Sequence, residues 1–226
     1  MTAYRMVADE TDYCVVAKAP GIIVHGDETR NLIDELRQAT GNRDMHPAHR
    51  LDRGTSGLLI VAKSGEVNQE FAALFAQRQI HKVYLALSDH KARKSQGAIV
   101  GDMAKTRDGS WKLLHSRINP ARTQFRSASL RPGLRLYYLL PATGKTHQLR
   151  VALKSQGAPI LGDDRYGGTP ADRLYLHAYQ LQFVWRGETR CYSCLPDQGR
   201  EFVIPGLAAA IENLVSPGEG LRSCTD

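Results

Sequence analysis

The stretch His49-Arg50-Leu51-Asp52-Arg53-Gly54-Thr55-Ser56-Gly57-Leu58-Leu59 decides how this chain is read. The run from Leu58 to Ala62 is continuously apolar and predicts a strand covered on both faces, with Thr55, Ser56 and Gly57 marking the turn that feeds it. Asp52 lies on the polar, glycine-bearing segment just ahead of that strand. A carboxylate on a loop held by a buried strand has little positional freedom, which is how catalytic side chains are commonly presented. Arg50 and Arg53 flank it. They could pair with Asp52, but beside an anionic substrate they are expected to hold phosphates and leave the carboxylate for another partner.

Outward from this point the chain alternates strand-like and helical stretches. Residues 13–18, 56–63, 80–88, 123–130, 134–140 and 178–185 are rich in β-branched, aromatic or alternating apolar positions and predict strands. Arg131-Pro132-Gly133 predicts a hairpin between two of them. Helices are expected at 31–40, 68–79, 146–156 and, briefly, 207–214. Strands in sequential pairs with helices inserted between groups imply an α+β fold, with a mixed, largely antiparallel central sheet and flanking helices. Residues 97–110, which include Lys105, Arg107, Asp108 and Gly109, read as a polar, glycine-bearing loop. The tail from 216 to 226 is expected to be disordered.

In the helix after Thr143-Gly144, at about 100° per residue, Leu149, Ala152 and Leu153 share one face while His147, Arg150 and Lys154 cluster on the other. The apolar face can bury while the basic face meets a cleft. Gly157 and Pro159 end the helix.

At 226 residues the chain is long enough for one well-buried domain, expected over 1–215, and too short for two ordinary domains with a linker. A net charge of +7 favours an anionic partner, though mild basicity alone is a weak sign. Residues 1–12 hold no hydrophobic run of the kind a secretion signal or membrane span requires, so a cytoplasmic protein is expected. Cys14, Cys191, Cys194 and Cys224 make no disulfide framework in a chain of this size and are expected to be reduced. Cys191-Tyr192-Ser193-Cys194 is half of a zinc site or redox pair at best, and its strand-like surroundings favour packing.

His-Arg-Leu-Asp followed by Thr-Ser-Gly-Leu-Leu and Ala-Lys resembles the signature of the RluA-type pseudouridine synthases, which isomerise uridine to pseudouridine in RNA. Further segments resemble that family in its order. They are Lys18-Ala19-Pro20-Gly21, with Ala19 in place of proline; Lys82-Val83-Tyr84-Leu85-Ala86; and Pro120-Ala121-Arg122-Thr123-Gln124-Phe125. Thr143-Gly144-Lys145-Thr146-His147-Gln148-Leu149-Arg150 follows, with Lys145 departing from arginine, then Gly162-Asp163-Asp164-Arg165-Tyr166-Gly167 and Leu176-His177-Ala178. The series runs from Lys18 to Ala178, and together the motifs are very specific.

The resemblance implies the same α+β fold and assigns the essential carboxylate to Asp52. It makes Arg150 the basic partner that keeps the Asp52 carboxylate ionised and oriented by a charge-assisted hydrogen bond, and Tyr84 the aromatic that stacks on a flipped uracil. Arg50 is the residue that enters the vacated stack, and Leu176 packs the other side of the ring. Arg53 and His147 are expected to contact the RNA. No metal and no other cofactor is implied; the partner is ribosomal or transfer RNA, and the protein is expected to act as a monomer. No basic RNA-binding domain is recognisable before Lys18, so specificity is expected to come mostly from the catalytic domain.

Two other readings compete. His46, His49 and Asp52 lie three residues apart and suggest a metal hydrolase, but Pro47 and Gly54 argue against the helix that would align them. A noncatalytic RNA-binding module is the second, and the joint presence of Asp52, Tyr84 and Arg150 speaks against it.

Overall fold

The computed structural model describes residues 2–26 and 30–215, so the tail expected at 216–226 lies outside the described residues. The described residues fall into two compact units, one built from residues up to His81 together with His177–Pro196, the other from Lys82–Leu176 and residues 197–215. Both follow the α+β plan expected from the sequence.

The first unit contains β1 (Tyr4–Asp9), β2 (Tyr13–Lys18), α1 (Leu32–Thr40), β3 (His46–Pro47), β4 (Ser56–Ala62) and α2 (Gly65–Ala76). Most of the later strand β11 (Leu176–Trp185) and all of β12 (Glu188–Ser193) also belong to it. The strands lie in the order β1-β2-β4-β11, with β12 on the far side of β11 and β3 against β4. Every pair is antiparallel except β4 with β11, which run parallel with Ser56 opposite His177 and Gly57 opposite Ala178. The two chain directions therefore meet at the start of β4, just behind Asp52.

β4 is buried along its whole length, as its apolar run predicts. Its Leu58 and Ile60 pack with Tyr13, Val15, Phe71, Phe183 and Trp185 in one core, in which the Phe71 and Trp185 rings stack with centroids 4.5 Å apart. Leu58, Ile60, Tyr13 and Phe71 are each no more than 1% exposed; fully burying side chains of this size contributes about 1.5–3 kcal/mol apiece. α1 starts where Asn31 caps it, its side chain accepting from the Asp34 N–H, and ends at Gly41 in the left-handed region. α2 starts on the Ser64 cap, three residues earlier than its apolar pattern suggests.

The second unit holds β5 (His81–Ser88), β6 (Gln96–Gly101), β7 (Met103–Lys105), β8 (Trp111–Leu113), β9 (Ala121–Arg131), β10 (Leu134–Pro141), α3 (Gln148–Ser155), a 3-10 turn at Asp164–Tyr166 and α4 (Leu207–Glu212). Its strands run β5-β10-β9-β6, all antiparallel, and β7 pairs with β8 as a separate ribbon. Arg131-Pro132-Gly133 turns β9 into β10, with Gly133 at φ 75°.

The polar loop expected over 97–110 is a correction: β6 and β7 occupy most of it, and only the segment around Thr106–Ser110 turns. Its order comes from backbone pairing with β9 and β8, which glycine and polar composition do not reveal. The cysteines bring a second correction. Cys14 and Cys194 are buried thiols outside any disulfide, but Cys191 is disulfide-bonded, so spacing and chain size do not fix the state of a thiol on an edge strand. Among the described residues no helix is long and apolar enough to cross a membrane.

Candidate active site

Asp52 sits on a four-residue turn closed by the Thr55 N–H donating to its carbonyl at 3.0 Å. A second turn clasps this one. The Arg53 carbonyl accepts from the Gly21 N–H at 2.8 Å and from the Lys18 ammonium at 3.1 Å, while Arg53 Nε donates back to the Gly21 carbonyl at 3.0 Å. Lys18 also donates to the carbonyls of Ala19 at 2.8 Å and Ile22 at 2.7 Å, and it is only 1% exposed. A buried ammonium is tolerated where it is hydrogen-bonded, and here it fixes the backbone beside Asp52.

Leu51 and Thr55 are buried on either side, whereas Asp52 itself is half-exposed. The turn thus holds a partly exposed Asp52 on a backbone with little freedom. Arg50 is exposed, and so is Arg53 outside its bond to Gly21.

The two histidines near this turn have separate partners, one a carboxylate and one a backbone N–H. His46 in β3 meets Asp44 at 2.6 Å, and His49 Nε2 accepts from the Ile60 N–H at 3.2 Å. No group of three or more His, Cys, Asp or Glu among the described residues is arranged to hold a metal ion.

In the second unit Tyr84 lies on β5 opposite Leu139 of β10 and is half-buried. Burial pushes the Lys82 ammonium below its ordinary pKa, and its Nζ reaches the Thr143-Gly144 turn, where a Cβ at Gly144 would lie 3.6 Å away. That turn is built around Gln148. Its Oε1 accepts from the Thr143 hydroxyl at 2.7 Å and the Lys145 N–H at 3.1 Å, and its Nε2 donates to the Arg122 carbonyl at 3.0 Å and to Thr123 Oγ1 at 2.9 Å.

α3 buries Leu149, Ala152 and Leu153 as the sequence predicts, but Gln148 and Val151 are buried as well, and His147, expected on the basic face, stands before the helix as its N-cap. Arg150 is held by Asp163, Nε to Oδ2 at 2.8 Å and Nη2 to Oδ1 at 2.7 Å, with the Asp163 side chain fully buried. Two parallel bonds fix the guanidinium plane. The same guanidinium lies 4.9 Å from the Tyr166 ring centre, and His147 Nδ1 is 2.8 Å from the Tyr166 hydroxyl. His147 is itself at φ 56°, a conformation non-glycine residues rarely adopt.

Leu176, buried at the start of β11, has its carbonyl held by Arg173 Nη2 at 3.4 Å. Burial pulls the Arg173 guanidinium down to about 10.

Asp163, Gln148, Tyr166 and Lys18 all fall inside quoted motifs, yet none was assigned a task from the sequence. Their signal was present for Lys18 and Asp163: a charged residue kept in an otherwise buried setting needs a partner.

Residues 12–155 match the family model described as RNA pseudouridylate synthase. An uncharacterized RNA pseudouridine synthase of Haemophilus influenzae is 47% identical over 211 residues, covering 92% of this chain and 94% of that protein. The ribosomal large subunit pseudouridine synthase C of Vibrio vulnificus is 31% identical over 192 residues, covering 79% of this chain; the chain spans only 61% of that enzyme's length. Among solved structures, human RNA pseudouridylate synthase domain containing 1 superposes with a TM-score of 0.74 at 26% identity, covering 92% of this chain and 87% of that one. The chain therefore belongs to the RNA pseudouridylate synthase family, in its RluA-type branch, and is an RNA pseudouridine synthase, an isomerase.

Proposed function

We propose that this enzyme isomerises specific uridines in structured ribosomal or transfer RNA, with Asp52 as the essential carboxylate. The observation that carries this reading is the clasped turn, which holds a half-exposed carboxylate between buried neighbours. The similarity to ribosomal large subunit pseudouridine synthases supports ribosomal RNA as one substrate class.

The reaction breaks the bond between ribose C1′ and uracil N1, turns the base, joins C5 to C1′ and releases the C5 proton. N1, freed from the sugar, takes up a proton as C5 gives one up, so atoms and electrons balance. One ionised carboxylate serves either route open to it, attack on sugar or base followed by release, or proton removal at the sugar while the detached ring turns. Arg150, oriented by Asp163, supplies a fixed cation, and Tyr84 a ring face for the base. Arg50 occupies the stack that the flipped uridine leaves, and Leu176 packs the ring. Arg53 and His147 contribute to RNA contact. Residues 1–215 serve as the catalytic domain, in a cytoplasmic monomer.

The test is a map of pseudouridine positions in cellular RNA with and without the gene. A defined site should vanish on deletion and return when purified protein is added to the deficient RNA. A map unchanged by deletion would overturn the reading.

A further inference from the structure

Ile118 is 93% exposed, more than any other large apolar residue among those described. Single exposed hydrophobic residues are ordinary on protein surfaces. This one differs in how its backbone is held. Between β8 and β9, the Asp102 carboxylate accepts from the Ile118 N–H at 3.0 Å and the Asn119 N–H at 2.8 Å. The Asp102 backbone also donates to the Ser116 carbonyl at 2.9 Å and accepts from the Leu114 N–H at 2.8 Å. On the other side the Lys145 ammonium grips the Asn119 carbonyl. A loop tied at so many points presents its tip in a set direction, at low entropic cost when something binds there.

The surroundings state what that something is. Arg117 and Arg122 are exposed beside the tip, and Lys145 belongs to the Thr143-Gly144-Lys145 turn that opens α3. The Arg122 N–H donates to Thr143 Oγ1 at 2.9 Å, so the loop and the turn before Arg150 form one scaffold. Cations that suit phosphates around an apolar tip that suits a base face match unstacked RNA, which the enzyme must create when it extrudes its target.

We propose that Ile118 is an apolar wedge that packs against the bases flanking the target uridine, a specificity element set beside phosphate-holding Arg117 and Arg122. It rests on RNA being the substrate and not on the role of Asp52. The test uses total RNA from cells lacking the gene, labelled with [5-3H]uridine, with tritium release as the turnover signal. Filter binding of the same RNA in an Asp52→Asn background reads affinity without turnover.

Ile118→Ser should raise the apparent KM and weaken binding at least fivefold while kcat stays within twofold. Ile118→Leu should restore both. The salt dependence of binding should match wild type in Ile118→Ser and flatten in Arg117→Ala, because only the arginine releases counterions. Wild-type binding by Ile118→Ser, or equal losses in the Ser and Leu variants, would overturn the wedge. So would a wild-type dimer that Ile118→Ser dissociates, since the tip would then face a second copy of the chain. If Asp52 proves dispensable for turnover, the binding comparison is unaffected.

Discussion

The Ser56 hydroxyl lies 2.8 Å from His177 Nδ1, and the other ring nitrogen, Nε2, lies 2.7 Å from the Cys194 carbonyl. A carbonyl only accepts, so Nε2 carries the proton and Nδ1 accepts from Ser56; the tautomer follows from the network. The ring is 2% exposed and sits where β4 and β11 begin their parallel pairing, four residues beyond Asp52. His177→Phe fills the space but takes this partner from both Ser56 and Cys194, and should cost about 2–4 kcal/mol. Urea unfolding measures it. A cost below about 1 kcal/mol would mean that the ring packs and its hydrogen bonds add little.

The same junction requires Gly57. Its φ is 105°, and a Cβ built there would lie 2.2 Å from the Ala178 carbonyl oxygen and 2.7 Å from its nitrogen. Backbone cannot move aside as a flexible side chain can, so Gly57→Ala should destabilise by more than about 3 kcal/mol or abolish soluble expression. Gly21→Ala is the control. Gly21 is at φ 83° with nothing within 4 Å, so only the conformational penalty of about 1 kcal/mol should appear. Equal losses at both positions would refute the close approach of β4 and β11.

Breaking the Arg150–Asp163 pair should harm both stability and turnover. Asp163 is fully buried on the side-chain scale and Arg150 12% exposed, so Asp163→Asn leaves a largely desolvated cation facing a neutral amide. A cost of about 3 kcal/mol is expected in urea unfolding. Because Asp163 sets the guanidinium plane, kcat should fall more than RNA affinity does. An affinity loss with unchanged kcat would assign Arg150 to RNA binding alone.

Sequence reading reached β4 and β2 because their runs are continuously or alternately apolar, and it reached the β9–β10 hairpin through Pro132-Gly133. It missed β1 and β6, whose residues are mostly exposed or half-buried, and from β12 it took only the strand-like surroundings of Cys191. Such strands are ordered by backbone pairing to a neighbour, a relation that composition does not carry. In the site, Asp52 was legible from its turn and the motif around it. The bond from Arg150 to Asp163 was not, because the chain must first end α3 and then turn at Gly162, whose φ is 76° and whose absent side chain leaves room for the Arg173 carbonyl. Only the folded path brings the two side chains together.

Cys14 gives a prediction about pH. Burial pushes its thiol from 9.0 up to about 11. An acid whose pKa is higher in the folded state stabilises fully below its unfolded pKa, and that contribution fades as pH rises from about 9 through about 11. Wild type should therefore lose on the order of 2 kcal/mol more than Cys14→Ala between pH 8 and pH 11, judged by urea midpoints at each pH. At pH 8 the native Cys14 should also resist iodoacetamide, and the unfolded chain should react. Rapid native alkylation would show that this thiol is not sealed in the core.

Asp52→Asn tests the chemical centre. Asp52 is partly exposed, and its turn is held by backbone groups of Asp52, Arg53 and Thr55 together with Lys18, none of which the substitution alters. Stability should therefore stay within about 1 kcal/mol of wild type, and RNA should still bind. An amide is neither a nucleophile of carboxylate strength nor a base near neutral pH, so tritium release from [5-3H]uridine-labelled RNA should cease. Asp52→Glu offers a sharper comparison, since it keeps the charge but extends it by one methylene from a backbone that the Lys18 clasp prevents from withdrawing. Turnover there should drop severely without a matching loss of affinity, because misplacing a reacting group by about 1 Å costs roughly 100-fold. Substantial release by the pure Asn variant would remove Asp52 from the chemistry and leave its turn a purely RNA-binding element.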